Sequence, residues 1–165
     1  MSSEVSPFAV GPMRRGLHLA IMTDSNTTWD YKMSYQHPLR TTNIHLASGQ
    51  TIMTDAPQDN HGLGQMFSPT DLLSASLAAC VATIIGIHVN SKDYELISID
   101  ANIQKKMASQ PRRVAAIKIE FIIEVSSVAS EQDLVLLERS GRACPVDKSI
   151  HPDVVQDLSF TFKRA

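Results

Sequence analysis

The chain has 165 residues, of which 43% are hydrophobic and 19% are charged, as expected for a single soluble globular domain with a real core. Its formal net charge of −2 and its 5% content of aromatic residues give no basis for binding nucleic acid or an anionic membrane surface. Two cysteines are too few for a disulfide scaffold or a zinc ribbon.

The first 28 residues have a mixed composition, and we assign them no function. They lack the basic, apolar and small-residue order of a secretory signal, because their longest apolar stretch, 17–22, is short and is interrupted by His18. We therefore expect a cytoplasmic protein, in which thiols rest reduced and any disulfide is transient and catalytic. The predicted organisation is an N-terminal extension over 1–28 and a single domain over 29–165.

Three β-rich stretches open the predicted domain, at 29–36, 41–47 and 51–54. Ser48, Gly49 and Gln50 supply the turn between the last two. Residues 55–67 are rich in Pro, Asn and Gly, which predicts a loop.

A long helix is predicted next, because its start is well marked. Ser68 is a good N-cap, Pro69 suits the first helical position, and Asp71 occupies the acidic position of a capping box. The helix should run to about Asn90, roughly 30 Å. Its uncharged stretch contains too many small and polar residues for a typical membrane span, so we expect a buried central helix.

A β-hairpin is predicted after this helix. Residues 110–112 form its turn, and Arg112 and Arg113 at the tip are interpreted as solubilising. The outgoing strand alternates Ile97, Ile99, Ala101 and Ile103 on one face, and the return strand alternates Ile117, Ile119, Phe121, Ile123 and Val125, with Lys118, Glu120 and Glu124 outward.

A second helix and a last strand complete the predicted fold. Ser130 and Asp133 form another capping box for a helix that should continue to Cys144. Pro145 cannot continue that helix but can start another. Alternating apolar residues over 158–162 predict a short strand. The order β-β-β-α-β-β-α-β is that of an α+β fold.

The two cysteines, 64 residues apart, suggest a redox pair that meets in space. Cys144 stands at a helix start, where free backbone N–H groups and the helix dipole should lower its pKa. Cys80 lies in the middle of the central helix and needs a nearby cation to become reactive. The alternative for each is a small buried hydrophobic side chain.

Several motifs together resemble the OsmC/Ohr superfamily, the osmotically inducible and organic hydroperoxide resistance proteins. The resemblance covers roughly residue 31 to the C-terminus. It is carried by Ser-Pro-Thr-Asp-Leu-Leu at 68–73, Ala-Ala-Cys at 78–80, Asp-Ala-Pro at 55–57 with Gly62 and Gly64, and Cys-Pro-Val at 144–146.

The resemblance implies an intertwined homodimer whose central helices pack together and whose active sites lie at the subunit interface. It implies a thiol peroxidase without metal or organic cofactor, in which Cys80 attacks the hydroperoxide and Cys144 resolves the sulfenic acid to a disulfide. Arg40 would activate the thiolate, and a dithiol, often a lipoyl group, would reduce the disulfide. The apolar helix around Cys80 favours organic hydroperoxides over hydrogen peroxide.

One position departs from the peroxidase pattern. Members of that group carry a glutamate after the helix-opening proline, where this chain has Thr70. Asp71 cannot replace it, since nine residues place it about 180° around the helix from Cys80. Its capping role explains it fully. Thr70 lies nearer the Cys80 face and could hydrogen-bond to Arg40 without supplying a charge.

Other residues near the predicted site carry weaker interpretations. Met66 and Phe67, just before the helix, could form an apolar substrate wall or belong to the core. His61 is interpreted as a solvated loop residue and Lys148 as a surface lysine. Lys32 and Arg14 remain alternatives to Arg40 as the cation near Cys80.

Two further functions stay open beside the peroxidase. The Thr70 replacement favours an OsmC-like dimer without peroxidase activity, which binds a small apolar or electrophilic ligand at the subunit interface. A metal site built from both cysteines and a histidine needs two more ligands than the sequence supplies.

Overall fold

Two three-stranded sheets and two main helices form the part of the chain that the computed structural model describes, residues 29–165. The predicted extension over 1–28 lies outside the described residues, and the single domain over 29–165 stays a prediction. The α+β order is confirmed, with one additional short helix. In chain order the elements are β1 (Tyr31–Gln36), β2 (Arg40–His45), β3 (Thr51–Asp55), a 3₁₀ turn (Gln58–Asn60), α1 (Pro69–Val89), β4 (Leu96–Ser109), β5 (Arg112–Val125), α2 (Glu131–Gly141), α3 (Pro145–Ser149) and β6 (Val155–Arg164).

The first sheet is an antiparallel meander of β1, β2 and β3, as the three β-rich stretches predicted. The predicted turn between β2 and β3 is present, and Gly49 there has φ +72°, a conformation that glycine adopts without a steric penalty. All six residues of β1 are exposed, including Tyr31, Met33 and Tyr35. Within residues 29–165, the start of α1 borders β2 and β3, whereas β1 is left without cover.

Helix α1 begins and ends where its caps predicted. Ser68 accepts a hydrogen bond from the backbone of Asp71, whose carboxylate accepts one from the backbone of Ser68, and Asn90 is the C-cap. The helix is long and apolar enough to span a membrane by composition. In this fold, however, Leu77, Val81 and other side chains on one face are fully buried in the core. The opposite face of this central helix is exposed within the single chain.

The core lies between α1, α2 and the second sheet, whose strand order is β4-β5-β6. The central strand β5 pairs antiparallel with β4 and parallel with β6. Its predicted alternation is confirmed, because its inward side chains are the most buried of the sheet: Ile117, Ile119, Phe121, Ile123 and Val125. Phe121 stacks on Phe160 of β6, with ring centroids 5.0 Å apart.

The predicted inward face of β4 is only partly correct. Ile97 and Ile103 are about half exposed, whereas Ile99 packs against the core. The pairing of β4 with β5 shifts register between Leu96 and Ser98, and such a bulge breaks the period of two. As the edge strand of this sheet, β4 pairs with a neighbour, β5, on one side only.

Helix α2 is shorter than predicted and packs closely on α1. It ends at Gly141 with Arg142 as its C-cap, and Cys144 then caps the new helix α3, which Pro145 starts as expected. A Cβ atom added at Gly141 would lie 3.0 Å from Val81 and 3.1 Å from Ile85. The absence of a side chain at this position therefore allows the two helices to approach.

Candidate active site

The structure brings the two predicted thiols together between α1 and α3. Both cysteines are free. Cys144 is completely buried as the N-cap of α3, and Cys80 on α1 is half-buried and packs against the same core cluster. Cys80 is close enough to contribute to the pKa of Cys144. The two thiols are therefore neighbours in the fold.

The pKa of Cys144 is raised, so the lowering expected from the helix start is wrong. Burial is the main cause, and the neighbouring Cys80 raises the pKa further. The backbone N–H of Asp147 donates to Sγ of Cys144 at 3.3 Å, which favours the thiolate. This one donor from a five-residue helix does not offset the loss of water around a buried thiolate. Cys144 is therefore a protonated thiol at neutral pH.

Arg40 is held by Asp55, a residue of the Asp-Ala-Pro motif for which the sequence predicted no role in the site. The two residues face each other across β2 and β3. Nε of Arg40 donates to Oδ1 of Asp55 at 2.6 Å, and Nη2 donates to Oδ2 at 2.8 Å. Nη2 also donates to the side chain of Gln65 at 2.9 Å. Such a two-point contact fixes both the position and the plane of the guanidinium group.

The carboxylate of Asp55 is buried and also organises the loop before α1. It accepts hydrogen bonds from the backbone N–H groups of Gln65, at 3.0 Å, and Met66. The hydrogen bonds from Arg40 are the main cause of the lowered pKa of Asp55, and the same contact raises the pKa of Arg40. The sequence did not indicate this pair, because the predicted turn at 48–50 would place Gln58 opposite Arg40, whereas the observed register of β2 and β3 pairs Arg40 with Asp55.

Arg40 does not bond to the thiols of its own chain. Its side-chain hydrogen bonds among residues 29–165 go only to Asp55 and Gln65. The hydrogen bond predicted between Thr70 and Arg40 is absent from this part of the chain.

A second cation, Lys105 of β4, extends to the start of α1 and was not predicted from the sequence. Its Nζ donates to the hydroxyls of Ser68 and Thr70, both at 2.9 Å, and to the carboxylate of Asp71. Burial opposes ionisation of Asp71, but the hydrogen bonds from Lys105 and Ser68 outweigh it and lower the pKa. The sequence could have indicated this residue, because Lys105 continues the alternation that predicts the inward face of β4. Thr70 therefore belongs to a charged cluster at the helix start.

The remaining predicted residues lie at the surface. Met66 and Phe67 are 44% and 60% exposed, so the alternative that they belong to the core is wrong for residues 29–165. Their role as an apolar wall for the substrate stays a prediction. His61 is exposed in the loop, and Lys148 is an exposed lysine paired with Asp147. Within 29–165, no group of three His, Cys, Asp or Glu side chains could hold a metal ion.

Comparison with known proteins places these features in one family. The family model described as OsmC-like protein matches residues 62–159. A protein of Psychrobacter arcticus 273-4, described as a candidate osmotic stress induced and detoxification response protein, is 40% identical. The match covers 82% of this chain and 97% of that one, with a TM-score of 0.74. A comparison with curated proteins gave no match.

More distant solved structures share the fold. The organic hydroperoxide resistance protein OhrB of Bacillus subtilis is 14% identical, with a TM-score of 0.56 and coverage of 81% of this chain and 98% of that one. An organic hydroperoxide resistance protein from Elizabethkingia anophelis is 13% identical, with a TM-score of 0.59 and coverage of 84% and 99%.

Proposed function

The chain belongs to the OsmC-like protein family, and we propose that it is a thiol-dependent peroxidase that reduces organic hydroperoxides with Cys80 and Cys144. The observation that carries this proposal is the pairing of the two thiols. One lies half-buried on α1, where a substrate can reach it, and the other is buried and protonated beside it. The organic hydroperoxide resistance proteins among the structural relatives support the same chemistry.

The reaction follows from the roles of the two thiols. The thiolate of Cys80 attacks the distal oxygen of the hydroperoxide, the O–O bond breaks, and the alkoxide takes a proton to leave as an alcohol. The sulfenic acid formed on Cys80 then condenses with the thiol of Cys144, which releases water and forms a disulfide. An external dithiol, for which a lipoyl group is our candidate, returns both cysteines to thiols by exchange.

The proposed active unit is a homodimer. The first sheet and the outer face of α1 expose apolar side chains, including Met33, Tyr35 and Ile87, and contiguous exposed apolar surface is typical of an interface. Within residues 29–165, Arg40 has no hydrogen bond to either thiol. In the proposed dimer, the second copy could bring a Cys80 thiolate close to it. Asp55 then holds the arginine, a role that the peroxidase pattern gives to the glutamate absent at Thr70.

The test is a titration of free thiols before and after one equivalent of cumene hydroperoxide. We expect the wild type to lose both thiols, and Cys144→Ser to accumulate a sulfenic acid on Cys80 that a dimedone probe can trap. If both wild-type thiols survive at this stoichiometry, the peroxidase is rejected. The alternative function, an OsmC-like dimer that binds a small ligand without peroxidase activity, is then favoured.

The roles of the two cysteines can be separated by their pH dependence. In Cys80→Ser, we expect alkylation of Cys144 by iodoacetamide to be slow at pH 7. Its apparent pKa should lie above the ordinary thiol value of about 8.5, because burial is the main cause of the rise. A midpoint below 8 in this variant would contradict the assignment of Cys144 as the protonated resolving thiol.

A further inference from the structure

A cavity of about 560 Å³ lies between the first turns of α1, the start of β5 and the segment after α3. Small-molecule sites typically have volumes of roughly 300–1,000 Å³. Most of its wall area is apolar and comes from Leu73, Val114, Ile150 and Val154. The polar residues that also line it include Thr70, Ser149, His151 and Asp153. Arg113 also lines it, so the sequence-based interpretation of this residue as a solubilising tip residue is incomplete.

The guanidinium group of Arg113 has unused hydrogen-bond donors. Its Nη1 atom is buried and has no hydrogen-bond partner in the described part of the chain. The nearest acid is Asp153, whose Oδ2 lies 3.8 Å from Nη2, beyond hydrogen-bond distance. Asp153 is also exposed and shared with His151 at 3.6 Å. Arg113 is therefore weakly paired on one side and unpaired on the other.

Arg112, the adjacent residue, differs from Arg113 in its pairing more than in its exposure. The two side chains are 47% and 41% exposed, but Arg112 hydrogen-bonds to Asp59 at 3.3 Å and lines a different cavity. A ligand cannot reach Nη1, which is itself buried, but the Arg113 side chain is 41% exposed as a whole. A planar carboxylate matches the geometry of the accessible edge of the guanidinium group.

We propose that this cavity binds an apolar monocarboxylate, with Arg113 contacting the carboxylate and the aliphatic walls holding the hydrocarbon chain. The site adjoins both thiol-bearing elements. Leu73 lies seven residues before Cys80, two turns or about 10 Å along the same face of α1, and Ile150 follows the helix that Cys144 caps. A bound chain therefore lies along the approach to the thiols. Binding is independent of whether those thiols reduce peroxides.

The test uses octanoate and 1-octanol as probes, which share a chain and differ in the carboxylate. Calorimetry on the full-length protein at low ionic strength should show octanoate binding at least tenfold more tightly than 1-octanol. In Arg113→Gln, octanoate affinity should fall at least tenfold while octanol affinity stays the same. Arg112→Gln removes the same charge one residue away and should change octanoate affinity less than twofold.

Three outcomes would overturn the proposal. They are equal binding of octanoate and octanol to the wild type, an unchanged octanoate affinity in Arg113→Gln, or equal losses in both arginine variants, which would indicate a general charge effect. Unchanged octanol binding and thermal unfolding show that Arg113→Gln is folded. If that variant does not fold, the octanoate and octanol comparison on the wild type still decides.

Discussion

At the residue scale, the site depends on two charged groups whose partners lie on other elements of the fold. Asp55 and Lys105 were not predicted, because their importance comes from partners 15 and 34–37 residues away. Cys80, Cys144 and Arg40 could be singled out by local position and by resemblance to a family. The pKa of Cys144 could not be predicted from its place at a helix start, since burial is a property of the folded chain.

Asp55→Asn should destabilise the protein in a pH-dependent way. The pKa of Asp55 is lowered in the fold by Arg40, so the carboxylate contributes stability above its unfolded value of about 3.9. That contribution is lost as the pH falls through the folded value. We expect the variant to melt several degrees below the wild type at pH 7, with the difference shrinking below about pH 4.

Thermal unfolding measured from pH 3 to pH 7 checks this prediction. Asp59→Asn is the matched control, because Asp59 is 68% exposed and makes one longer contact, with Arg112. Exposed pairs contribute little, so its melting temperature should stay within about one degree of the wild type. A difference between Asp55→Asn and wild type that is equal at pH 3 and pH 7 would contradict the assigned pKa direction.

At the element scale, signals local in sequence were reliable and those that depend on packing were not. The start and end of α1 follow from Ser68, Pro69 and Asn90, which act within one helical turn. The exposure of Ile97 does not follow from its alternating pattern, because a bulge in the β4–β5 pairing shifts the register there. Likewise, nothing near Gly141 in the sequence indicates that α1 will lie against it.

Gly141→Ala should destabilise the protein although alanine favours helices. The added methyl group would lie 3.0–3.1 Å from Val81 and Ile85, and overpacking typically costs about 1–3 kcal/mol. The gain in helix propensity is at most about 1 kcal/mol. We expect a net loss on the order of 1 kcal/mol in urea unfolding.

Gly86→Ala is the control for this substitution. A Cβ atom there meets only Leu96, at an ordinary 3.9 Å, so the propensity gain should remain and stabilise the protein by about 0.5–1 kcal/mol. Equal effects of the two substitutions would show that the contact at Gly141 does not limit the approach of α2 to α1.

At the scale of the whole molecule, residues 29–165 leave two surfaces largely uncovered. One is on the first sheet, and the other is the uncharged outer face of α1, where Ser76, Ala79 and Thr83 are exposed. Small side chains allow two helices to approach closely. The fold class was predictable from the order of strands and helices, but the extent of these bare surfaces was not.

Ala79→Arg should prevent association of two chains. We expect light scattering to give a wild-type mass about twice the 18.1 kDa of one chain, and a mass near that of one chain for the variant. The reason is that a charge placed on the outer face of α1 would be buried without a partner. Ala101→Arg, on the exposed edge strand β4, is the control and should keep the wild-type mass. A monomeric wild type would reject the proposed dimer.

The parallel pairing of β6 with β5 also bears on how the chain folds. Each residue of β6 pairs with one 39 positions earlier, such as Val155 with Ala116, and both α2 and α3 lie between them. Long-range pairing of this kind is slow to form, because the loop must close before any hydrogen bond is gained. Until β6 arrives, one edge of the apolar strand β5 is open to other chains. Refolding yield should therefore depend on protein concentration more steeply than equilibrium stability does.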